Sequence, residues 1–127
     1  MNKAMVILAL IASSAIAQIN WVASYDVALT KAAKEKKNVM VMLSKEGCPA
    51  CEYMEDVVFE EQAVEDAINK KFIPVHLDIH KDKIPTELGY IGTPTFHFVN
   101  AKGEKLKRYD GGANIPTFMG ILNSIKK

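Results

Sequence analysis

The sequence predicts a single α/β domain built on a mixed central sheet with helices on both faces. Three observations lead there. Val39 to Leu43 is an unbroken apolar run, which suits a central strand covered from both sides. Helix-period and strand-period stretches alternate through the first two thirds of the chain. Two strand stretches joined by a short turn then precede a last helix, adding an antiparallel pair to the alternating part. The 127 residues suffice for one core of this kind.

Each element has its own signal. Ser24 caps a helix running to about Lys36, with Tyr25, Ala28, Leu29 and Ala32 on one face. Asn38 breaks it, and the strand Val39–Leu43 follows. Ser44 to Gly47 is a loop, and a helix starts at Cys48 with Pro49 in its first turn. Glu61 to Lys71 is helical, turning Val64, Ala67 and Ile68 inward. From Phe72 to His80 the period is two: Ile73, Val75, Leu77 and Ile79 face one way, Phe72, Pro74, His76, Asp78 and His80 the other. Lys81 to Tyr90 is a polar connection with one helical turn. Thr95–Val99 and Leu106–Tyr109 form a hairpin across Ala101 to Glu104. Asn114 caps the final helix, whose buried face is Ile115, Phe118, Met119, Leu122 and Ile125.

Residues 1–17 are expected to lie outside this domain, which is assigned to residues 18–127. Asn2 and Lys3 form a short positive start, Ala4 to Ile11 is almost wholly apolar, and Ala15-Ile16-Ala17 offers small residues at a cleavage site. The apolar stretch is shorter than the roughly 20 residues a bilayer span takes. The reading is a signal peptide, with release of the protein to the periplasm or the medium. Removing it leaves 15 basic and 15 acidic residues. A balanced chain of this kind is a poor electrostatic partner for nucleic acid or an anionic membrane.

Cysteine usage is the most informative part of the composition. An exported protein sits where disulfides persist, yet this one has two cysteines, Cys48 and Cys51. A bridge between them closes so short a loop that chain entropy gives only about 2 kcal/mol, against about 4.7 for a loop of 100 residues. Chemistry explains the pair better than stability does. Helical spacing brings both sulfurs to one side, so they can bridge and reopen. Cys48 lies at the helix start, where free backbone N–H groups favour a thiolate, and Cys51 lies one turn inside. Cys48 is therefore the attacking thiol and Cys51 the resolving one. Half of a zinc site is the rival reading. It would need two ligands from His76, His80 and His97, and the first two lie about 13 Å apart along one strand. No metal and no cofactor are expected.

The apolar strand, Gly47-Cys48-Pro49-Ala50-Cys51, and Ile91-Gly92-Thr93-Pro94-Thr95-Phe96 together resemble the thioredoxin superfamily from about residue 24 to 125. Glu52-Tyr53-Met54-Glu55 and Phe59 look more like the exported reductase arm of the bacterial transmembrane disulfide reductase. The resemblance implies the thioredoxin fold, a cis-proline at Pro94 facing the cysteines, and a Thr93 backbone that holds an extended substrate segment. It also implies thiol–disulfide oxidoreductase activity on protein substrates, as a reductant fed by a membrane-bound electron donor. The expected assembly is a monomer.

The chain departs from the family at three places. Gly47 stands where thioredoxins carry a tryptophan, Met42 where they bury an aspartate, and His76 where a lysine accompanies that aspartate. The acid–base device serving Cys51 is therefore altered. His76 is either a proton relay for Cys51 or a half-buried packing histidine. His97 is read as a core or edge histidine, His80 as solvated, and Trp21 as packing the first helix onto the core. Two other functions fit part of the pattern. Pro49 and Thr93 also suit a disulfide oxidase or isomerase. Two thiolates would suit Cu(I) delivery, against which stands the lack of a methionine- or histidine-rich tract.

Overall fold

The computed structural model describes residues 18–126; the expected leader lies outside the described residues. Ser24 caps α1 (Tyr25–Glu35), its Oγ accepting the Val27 N–H at 3.2 Å. Lys36 then turns left-handed at φ 57°, so the chain reverses there and Asn38 opens β1 (Asn38–Ser44) instead of ending the helix. After α2 (Pro49–Tyr53) come α3 (Gln62–Lys71), β2 (Phe72–Asp78), β3 (Thr95–Val99), β4 (Lys105–Asp110) and α4 (Ile115–Ser124). Asn114 caps α4 by accepting from the Thr117 N–H at 3.0 Å.

The sheet order is β2-β1-β3-β4. β1 runs parallel to β2 and antiparallel to β3, which pairs antiparallel with β4. β1 is thus paired on both edges and buried on both faces, as its unbroken apolar run requires. Its Val39, Val41 and Leu43 pack with α1, Ile73, Val75 and Leu77. Met40 and Met42 face α2, α3 and α4, among Phe96, Phe98 and Phe118. This is the mixed sheet with helices on both faces that the sequence predicts.

Four local differences have physical causes. β2 stops at Asp78 because its carboxylate accepts the His80 and Lys81 N–H groups at 2.8 and 3.2 Å, folding the chain into a turn. The same two donors, with Lys81 and His80 as nearby charges, hold the Asp78 carboxyl below the usual range. The connection from Lys81 to Tyr90 contains turns but no helical turn, and Leu88 anchors it in the α1-side core. α2 continues as one π-helical turn, Met54–Val58, closed by the Phe59 N–H on the Met54 carbonyl at 2.8 Å. The extra residue in that turn lets Val58 and Phe59 both face the core. Ile121 is buried in α4 while Met119 is half-buried, so the buried stripe of that helix lies slightly round from its expected position.

The segment before α1 makes a fifth, single-bridge strand. Val22 pairs parallel with Val75, and its N–H donates to the Pro74 carbonyl at 2.9 Å. Pro74 can sit in β2 because its missing N–H falls on this outer edge. Trp21 packs on Phe59 and His76, at ring separations of 5.6 and 5.4 Å, on the sheet face opposite α1. It does not seat the first helix.

His97 is a buried core histidine whose Nε2–H donates to the Gly89 carbonyl at 2.6 Å. Burial lowers its pKa below the ordinary 6.5; the Gly89 bond opposes that shift, Arg108 and Lys105 add to it, and Asp110 opposes it. With the folded pKa below the unfolded one, the unfolded chain takes up the proton first as pH falls. The stabilisation is whole above the unfolded pKa of about 6.5 and is lost as pH falls from there through the folded value. Urea midpoints should therefore decline from near neutral into mild acid, and His97→Gln should flatten that part of the curve. Parallel curves for the two proteins would rule this origin out.

Candidate functional site

The site forms where β1 hands over to α2. Gly47, at φ 69°, makes the turn that β1 needs to reach the helix. Cys48 is the extended N-cap residue, and Pro49 occupies the first helical position, where its missing N–H costs nothing. Cys48 and Cys51 are joined as a disulfide, with Cα atoms 5.2 Å apart. Both are almost fully buried in this state, at 4 % and 2 % exposure, so they differ little in burial while they are bridged.

Two donors converge on Cys48. Its Sγ accepts the Cys51 backbone N–H at 3.2 Å and the Thr93 hydroxyl at 3.3 Å. Both would stabilise a thiolate there once the bridge is open, because hydrogen bonds to the charged form lower a pKa. The Thr93 carbonyl lies 3.5 Å from the same sulfur, where a neutral Cys48 thiol can donate to it. The Thr93–Pro94 peptide is cis. That loop is tied down on both sides: the Thr95 hydroxyl donates to the Gly92 carbonyl at 2.8 Å, and the Gly111 N–H to the Pro94 carbonyl at 2.8 Å. Ile91, 91 % exposed, and Tyr90, 41 % exposed, precede that loop as apolar surface.

Met42 lies directly across from His76 in the β1–β2 register, so two of the chain's three departures from the family pattern are neighbours. His76 is half-buried, and both ring nitrogens have partners. Nε2 pairs with the Ser44 hydroxyl at 2.5 Å, and Nδ1 faces a Glu55 carboxylate oxygen at 3.5 Å. With Nδ1–H toward Glu55, Nε2 accepts the Ser44 proton. A small polar cavity of about 290 Å³ is lined by Cys51, Ser44, Glu55 and His76 together. Cys51 thus opens onto the same cavity as Ser44, Glu55 and His76.

Sequence reasoning named Cys48, Cys51, Thr93, Pro94 and His76, and the fold gathers them at one end of the sheet. It missed Ser44 and Glu55. Glu55 had a usable signal, standing four residues after Cys51 and so one helical turn along the same face. Ser44 shares a strand face with Met42, but only the parallel register brings it to His76. Among the described residues, no three His, Cys, Asp or Glu side chains gather at metal-binding spacing, and no helix is long and apolar enough to cross a membrane.

A family model described as a thioredoxin-like domain matches residues 25–126. No match is found among curated proteins. Among solved structures, a protein of Bacteroides thetaiotaomicron assigned as a disulphide isomerase is 27 % identical at a TM-score of 0.70, covering 84 % of this chain and 94 % of that one. A thioredoxin from Thermus thermophilus is 24 % identical at a TM-score of 0.69, covering 84 % and 86 %. The oxidised C-terminal domain of Neisseria meningitidis DsbD is 19 % identical at a TM-score of 0.67, covering 87 % and 100 %.

Proposed function

The chain belongs to the thioredoxin-like domain family, and from that premise we propose that it is an exported reductant of protein disulfides. Thiol–disulfide exchange is the chemistry of the Cys48–Cys51 pair, and one observation carries the reading. A reversible bridge starts a helix, with hydroxyl and backbone donors on its outer sulfur and the Thr93–Pro94 loop beside it. In the dithiol state the Cys48 thiolate attacks a substrate sulfur, forming a mixed disulfide and releasing one substrate thiolate. The Cys51 thiolate then attacks Cys48 Sγ, which restores the bridge and releases the second substrate thiol. Two electrons pass to the substrate, and Cys51 gives up its proton at the Ser44–His76–Glu55 group. Thr93 and Pro94 position the substrate strand.

Export is supported by the leader pattern of residues 1–17. The reductive direction is supported by the likeness of Glu52–Glu55 and Phe59 to a reductase arm, and by the fold shared with the DsbD C-terminal domain. On this reading its electrons come from a membrane-bound donor, as the resemblance to a reductase arm implies. A second reading, a disulfide oxidase or isomerase, is favoured by Pro49, by Thr93 and by the 27 % identity to the Bacteroides protein. Equilibration of the Cys48–Cys51 couple with a glutathione series separates the two. A reductant should sit near about −270 mV; a value approaching about −120 mV would reverse the direction.

A further inference from the structure

A cavity of about 280 Å³ lies between the segment before α1 and the start of α3. Gln18 and Trp21 line one side, and Glu55, Glu60 and Glu65 the other. Glu55 faces His76, but Glu65 has no such counterpart. It is only 7 % exposed, and among the described residues it has no cation or hydrogen-bond donor acting on its carboxylate. Burial first, and then the charges of Glu60 and Asp66, raise its pKa. Its place in the first turn of α3 offsets only part of this. Glu65 lines the cavity with only acidic charge beside it, and such a carboxylate favours a cation as its neighbour.

The segment facing it is held in place. The Asn69 amide donates to the Gln18 carbonyl at 2.6 Å, and its oxygen accepts the Asn20 N–H at 2.9 Å. Asn69 lies four residues after Glu65, on the same face of α3, where side chains are about 5–6 Å apart at Cβ. The backbone nitrogen of Gln18 belongs to the residue whose carbonyl Asn69 holds, and Gln18 and Glu65 line the same cavity. In the uncut chain that nitrogen is a neutral amide.

We propose that cleavage after Ala17 creates the missing cation, and that the new α-ammonium of Gln18 occupies the acidic pocket as the partner of Glu65, with Glu60 beside it. The inference rests on the export reading above. It adds a charged tie to a segment that Asn69 already holds and that carries Trp21 against His76. It also protects the terminus chemically. An N-terminal glutamine cyclises when its unprotonated amine attacks its own side-chain amide carbon, forming the lactam C–N bond and expelling ammonia. An amine held as an ammonium ion has no lone pair for that attack.

The test uses the exported, processed protein. Mass spectrometry fixes its terminus, and the rate of acylation of the Gln18 amine is followed against pH, with the proteolytically released N-terminal peptide as reference. The titration midpoint should lie above the peptide's, which is about 7.7–8.0 for an α-amine. Glu65→Gln should return it most of the way and speed lactam formation several-fold. Glu60→Gln, at an exposed position, should give a smaller shift in the same direction and serves if Glu65→Gln does not fold. A Gln18 terminus with the same midpoint as the free peptide overturns the pairing alone. A different terminus overturns the maturation reading and the proposal with it.

Discussion

Cys51→Ser is expected to accumulate covalent adducts with its substrates, and Cys48→Ser is expected to form none. The asymmetry follows from position. Cys48 receives the donors that stabilise a thiolate, whereas Cys51 lies inside the first turn and supplies one of those donors from its own N–H. With Cys51 replaced, the mixed disulfide on Cys48 has no internal thiolate to displace it. With Cys48 replaced, the remaining thiol is shielded from a protein substrate. Both variants should lose turnover entirely. Non-reducing electrophoresis of each variant after exposure to extracytoplasmic proteins reads the difference. Equal trapping by the two would mean that the roles are shared or reversed.

His76→Leu is expected to slow resolution of the mixed disulfide by about 100-fold, the usual worth of general-base assistance, while leaving the attack by Cys48 nearly unchanged. Met42 cannot accept a proton, and across the strand from it His76 joins Ser44 and Glu55 in lining the cavity that Cys51 opens into. Stopped-flow measurement with a preformed mixed disulfide isolates the step. Because leucine could also loosen the packing on Trp21, His76→Gln serves as the control: it keeps a polar side chain but no titrating ring. Both should change the pH profile of resolution and spare that of attack. Resolution within about threefold of wild type across pH 5 to 8 would reduce His76 to a packing residue.

Much of this was legible before any coordinates. The buried central strand showed in five consecutive apolar residues, the caps of α1 and α4 in Ser24 and Asn114, and the redox pair in its spacing and in the absence of other cysteines. Such features are local: a capping oxygen, a helix phase and a cysteine interval act within a few residues. The turn at Asp78 and the π-helical turn after Tyr53 escaped because they depend on which backbone groups find partners, which side-chain periodicity does not encode.

Trp21 shows where local reading ends. Its neighbours in sequence placed it with the first helix, yet the bridge of Val22 to Val75 carries it along the edge of β2 to Phe59 and His76. The sequence by itself determined the fold class, the order of elements and the two sulfurs. Only the tertiary structure decided what surrounds them. The Ser44–His76 contact spans 32 residues, and the Thr93–Cys48 contact spans 45. Parallel register and loop closure set such contacts, because they are chosen by the packing of the whole sheet and not by the residues alongside.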